Sequence, residues 1–192
     1  CGTGDEPEFG LCHQQCPAAA ARGGATGLTG QAAGMDIVAH TLWAGVGVAL
    51  LRRRRPVPAG TVVATMGMAA LPDLMHLLPI VFWWLFGDGT WAVAHEYAFA
   101  LPDQEPTLPP LVGLLSHHLH CVMHSAVVAG VVTLVSWAVL RRLWIPLLGC
   151  WLHIVVDVFT HSADFYPSPV LYPFTQRGFD GVAWNLPWML AL

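Results

Sequence analysis

The chain has 192 residues, 55% of them hydrophobic and only 10% charged, with a mean hydropathy of +0.56. Soluble domains carry about 25% charged residues, so this composition excludes an ordinary soluble domain and points to a membrane chain. There is no lysine, and a net charge of −4 scattered along the sequence excludes a nucleic-acid binder.

Residues 1–34 differ in composition from the rest of the chain. They are rich in Gly, Ala and Gln and hold Cys1, Cys12, His13 and Cys16, without the apolar core that a signal peptide needs. A disordered tail is expected there, with Met35 a candidate natural start and residues 35–192 a single membrane-embedded domain. Asp36 is a candidate N-cap for a helix through Leu51 that stops at Arg52-Arg53-Arg54-Arg55 and Pro56. A second segment runs from Gly60 to about Ile80, with breaks expected at Pro72-Asp73 and Pro79. The aromatic group Val81 to Phe86 suits a membrane–water boundary, and Trp91 to Leu101 reads as a short interfacial helix. A proline-rich loop comes next, from Pro102 to Pro110. The third helix opens near Leu111 or Ser116 and crosses from about Val122 to Leu140, stopping at Arg141-Arg142; the fourth is Leu143 to His161. Ser162 to Leu192 is expected to cap one mouth of the bundle. The predicted fold is therefore all-α, an integral membrane bundle of about four transmembrane helices with an interfacial helix and an irregular C-terminal cap.

Six of the eight basic residues fall in two short loops, after spans one and three. The positive-inside rule places both loops in the cytoplasm. An alternating four-span path satisfies both at once, in an inner (cytoplasmic) membrane crossed several times.

Ten histidines then need an explanation. The most concentrated stretch is Trp151-Leu-His-Ile-Val-Val-Asp-Val-Phe-Thr-His161, where His153, Asp157 and His161 stack along one helical face at i, i+4 and i+8. An imidazole and a carboxylate one turn apart reach a single divalent cation; the bland alternative is a polar pair satisfied against a neighbouring helix. Depth favours the cation. At 1.5 Å rise per residue, His40 lies about 22 Å above the basic loops, Asp73 and His76 about 20 and 24 Å, and His124 about 25 Å. On the same scale His153, Asp157 and His161 lie at about 16, 22 and 28 Å. Four helices thus deliver His or Asp to one layer near the extracytoplasmic face, and ionisable groups inside a membrane mark a functional site. His117, His120 and His124 share another face, of which His124 is the deepest. His120 is a second ligand or a support for one, whereas His117 and His118 suit the interface. Ser125 is placed to donate to a ligand or a substrate oxygen.

Asp36-Ile-Val-Ala-His40, Leu71-Pro-Asp-Leu-Met-His76, His124-Ser125 and His153-x-x-x-Asp157 followed by Thr160 resemble the motif series of the membrane-bound, metal-dependent hydrolases of bacterial and archaeal inner membranes. Leu171-Tyr-Pro-Phe174 is similar to that family's tail, and a more distant likeness is to the zinc-dependent phospholipase C and single-strand nuclease fold. The resemblance implies His40, Asp73, His76, His124, His153 and Asp157 as the metal-binding set. Two departures bear on the number of metals: Met75 stands where the family has a second Asp, and the His-Arg pair expected before Thr-His-Ser is a looser His-rich run.

Mixed His and Asp ligands suit zinc first, then manganese or iron. A metal-activated water would attack a phosphorus or acyl centre, with Asp73 or Asp157, whichever is less committed to metal, as general base. A site about 5–10 Å below the outer surface would meet a membrane lipid or a lipid-linked phosphoester. Two rivals stand beside this reading. One is a non-catalytic metal-binding or transport protein; the other is a bis-His haem electron carrier, which leaves both aspartates unexplained.

Overall fold

The computed structural model describes residues 32–100, 104–162 and 167–182, with side chains from residue 37 onward. The cysteine-bearing tail, including Cys1, Cys12, His13 and Cys16, lies outside the described residues. Six helices and no strand are present among them: α1 (Ala32–Arg52), α2 (Ala59–Phe86), α3 (Trp91–Phe99), α4 (Pro110–Met123), α5 (Ala126–Leu140) and α6 (Leu147–Thr160). The all-α expectation stands at that level.

Helix α2 is the axis, with α1, α3, α4 and α6 packed on it and α1 also touching α6. It begins where the fixed φ of Pro58 ends the turn after the arginines, with Thr61 and Val62 donating to the Pro58 carbonyl. The expected breaks at Pro72 and Pro79 do not occur, and both prolines lie inside one 28-residue helix. A neighbour compensates the missing N–H of Pro72: the carbonyl it would have bonded, that of Met68, accepts from Cys150 Sγ at 3.2 Å. Close approach makes this possible. A Cβ on Gly149 would fall on the Thr65 carbonyl oxygen and the Ala69 nitrogen, so only glycine lets α6 lie against α2 there.

Two further boundaries differ from expectation. Helix α1 begins at Ala32, so Asp36 lies within it rather than at its cap. The third segment is two helices, α4 and α5, bent by 63° at His124-Ser125. Ser125 caps α5, its hydroxyl accepting from Val128 N at 3.2 Å. The C-terminal segment fills the break, with Ala126 N on the Val170 carbonyl and Ser125 Oγ on the Tyr172 carbonyl at 2.6 Å.

Beside an apolar core that includes Val48, Ile80, Leu147 and Ile154, many polar groups are buried and many large apolar ones exposed. His40, Thr65, Ser116, His124, Ser125, His153 and Asp157 are fully buried, while Val63, Phe82, Phe86, Leu134, Trp137 and Val139 are exposed. Helix α5 buries nothing. Among the described residues, only α2 is long and apolar enough to cross a membrane as one helix, and α4 with α5 pass together as a bent pair. The apolar parts of α1 (Ile37–Arg52) and α6 (Leu147–Thr160) are shorter. At 1.5 Å per residue they reach about 24 and 21 Å against a hydrocarbon core of about 30 Å.

Candidate metal centre

The site lies where α1, α2, α6 and the α4–α5 break meet. His153 comes from the second turn of α6, and its Nδ1 lies 2.7 Å from the Ala69 carbonyl of α2. His124 caps α4, with Nδ1 2.9 Å from the His120 carbonyl. A carbonyl oxygen only accepts, so both Nδ1 atoms carry protons and both Nε2 atoms are lone-pair donors when the rings are neutral. Those two Nε2 atoms face each other at 3.0 Å.

Two carboxylates complete the arrangement. Asp157, one turn beyond His153, places Oδ2 3.2 Å from His153 Nε2 and 3.3 Å from His124 Nε2. Asp73, held on α2, places Oδ1 3.5 Å from His153 Nε2 and 3.4 Å from His124 Nε2. The second Asp157 oxygen lies 2.9 Å from His40 Nε2, and the His40 ring packs on His153 with centroids 4.0 Å apart. Both Asp157 oxygens and Asp73 Oδ2 are buried without a hydrogen bond of acceptable geometry.

Lone pairs of two imidazoles and two carboxylates converging in a buried space repel one another unless a proton or a metal ion lies between them. The spacing suits a metal ion. Metal bonds of about 2.0–2.2 Å put the ligands of a tetrahedral ion about 3.3–3.6 Å apart. Five of the six edges joining His124 Nε2, His153 Nε2, Asp73 Oδ1 and Asp157 Oδ2 measure 3.0, 3.2, 3.3, 3.4 and 3.5 Å. Ligand atoms also converge in two groups of three, His124 with His153 and Asp157, and His40 with Asp73 and His153. These buried His and Asp groups have the chemistry and spacing to hold a metal ion.

The remaining candidates lie around this centre. His76, one turn past Asp73, is in neither group; its ring meets that of His120 edge-on at 5.8 Å. His120 stacks on His124 at 4.1 Å and supports it through its carbonyl. His161 comes directly after the last residue of α6 in extended conformation, φ −108° and ψ 142°, and its Nδ1 lies 3.4 Å from Ser168 Oγ. His117 faces Cys121 Sγ at 3.4 Å and His118 faces Tyr172 OH at 3.1 Å. Ser125, expected to serve a ligand or substrate oxygen, instead joins α5 to the C-terminal segment. Sequence reasoning missed the Ala69 and His120 carbonyls, because a backbone acceptor leaves no mark on residue type.

No protein-family model, curated protein or solved structure matches the chain.

Proposed function

We propose that this protein is a membrane-embedded, metal-dependent hydrolase acting on a lipid or lipid-linked phosphoester, with zinc the ion best suited to its donors. The observation that carries the reading is the buried set of two imidazoles and two carboxylates at tetrahedral spacing. The resemblance to the inner-membrane hydrolases supports it, as does the outward-facing apolar surface. In this reading the chain crosses an inner membrane four times, the short α1 and α6 drawing the bilayer in around them.

His124, His153, Asp73 and Asp157 would hold the ion. When bound, it supplies Lewis acidity, making water a nucleophile near neutral pH and offsetting charge that develops on the substrate oxygen. The chain does the rest. The Ala69 and His120 carbonyls fix the two imidazole tautomers, and His40 orients Asp157. Asp73, the only one of the four ligands with appreciable exposure, faces incoming substrate and takes the proton of the attacking water.

One observation favours a second reading: four protein ligands close a tetrahedron, as in structural rather than catalytic sites. A cation-binding or transport protein would share that set. The haem alternative suits the geometry least, since Nε2 atoms 3.0 Å apart leave no space for a macrocycle between them. Metal analysis of detergent-purified protein, followed by a panel of lipid and water-soluble phosphoesters, separates the two. One equivalent of ion with chelator-sensitive hydrolysis is expected, whereas ion without turnover on any member would favour the non-catalytic reading.

A further inference from the structure

The four donor groups are not equally held. His153 is braced by the Ala69 carbonyl at 2.7 Å, His124 by the His120 carbonyl at 2.9 Å, and Asp157 has His40 Nε2 2.9 Å from its second oxygen. No contact of that kind braces Asp73 among the described residues; its Oδ2, like both Asp157 oxygens, is buried without a hydrogen bond of acceptable geometry. Its side chain is also 16% exposed, against 0–1% for the other three. Its backbone surroundings differ as well. Pro72 removes one rung of the helix ladder beside it, and the Ala69 carbonyl, the regular i−4 acceptor for the Asp73 N–H, is shared with His153.

We infer that Asp73 is the exchangeable ligand of the centre: His124, His153 and Asp157 hold the ion permanently, and Asp73 swings off it to open one coordination position. This rests on the metal reading above and deepens it, because it turns a closed four-ligand site into one that admits water or a substrate oxygen. Supported ligands keep their orientation when one contact breaks, and an unsupported carboxylate does not. Once released, Asp73 Oδ1 has the exposed side of the site to move into. The carboxylate then stands beside the position it vacated, within reach of whatever enters there.

The test uses full-length protein in detergent, reconstituted with Co(II) and titrated with azide as a small coordinating anion. Wild type is expected to bind one Co(II) with the strong visible absorption of a four-coordinate ion. Asp73→Asn and Asp73→Ala should keep one Co(II) per chain, with affinity lowered by about 10–100-fold in chelator competition. Their spectra should also respond to azide at concentrations lower by about tenfold or more, since no carboxylate competes for the open position. Asp73→Glu should restore the azide-resistant spectrum. Asp157→Ala and His153→Ala should lose the ion altogether, and unchanged helical circular dichroism establishes that each variant is folded. If folded Asp73 variants lose Co(II) as completely as Asp157→Ala, or bind azide no better than wild type, the inference is overturned while the metal reading survives. Wild type that binds no ion would overturn both.

Discussion

Asp157 shows how far residue spacing alone reaches. The i, i+4 spacing from His153 placed an imidazole and a carboxylate on one face, and the two meet at 3.2 Å. Extending the same count to His161 fails, because α6 ends at Thr160 and the next residue leaves the helical path. His76 sits one turn past Asp73, outside both three-residue groups, and its ring meets that of His120 edge-on. Register therefore told which groups share a face within a helix, and capping decided the geometry at its end. Among the described residues, removing Asp157 leaves Asp73 as the carboxylate near His40, His124 and His153. Asp157→Ala is expected to take metal content from one equivalent to near zero by elemental analysis, and full retention would exclude the centre. His40 stands behind Asp157, so His40→Phe should keep the ion but weaken binding by about 10–100-fold, read by chelator competition.

At the level of helices, proline rules misjudged α2 and missed the break in the third segment. Both have one cause. A helix tolerates a proline more readily when the unpaired carbonyl finds another donor, as Cys150 supplies from α6 at Pro72. A helix without a proline breaks when another segment offers better partners, as the Tyr172 and Val170 carbonyls do at Ser125 and Ala126. Such partners lie far away in the chain, at separations of 47 residues for Ser125 and 82 for Cys150, and leave no local signature. The α2–α6 seam holds His153 at Ala69, so its spacing is a functional quantity. Gly149→Ala would press a Cβ onto the Thr65 carbonyl and force the helices apart. We expect it to lower stability by about 1–3 kcal/mol, seen as a fall in thermal midpoint in detergent. Metal affinity should fall with it, as His153 loses its backbone anchor. A Gly149→Ala protein with wild-type stability and affinity would show that this contact is dispensable.

For the molecule as a whole, composition indicated a membrane chain, and the outward-facing valines, leucines and aromatics agree with that. Crossing number is a finer matter, since hydropathy counts apolar residues and cannot see how a short helix is seated. The arginines supply the argument. Arg53, Arg54 and Arg55 lie exposed between α1 and α2, and Arg141 and Arg142 lie exposed between α5 and α6. If α1, α2, the bent α4–α5 pair and α6 each cross once, both loops emerge on one side, and the positive-inside rule makes that side the cytoplasm. Single cysteines introduced as Arg53→Cys and Arg142→Cys test this in intact cells, against a background lacking the native cysteines. Both should resist a membrane-impermeant maleimide added outside and react once the membrane is permeabilised. Labelling of one position but not the other would place the loops on opposite faces. The α4–α5 bend would then be re-entrant, and His124 would approach the centre from the opposite leaflet.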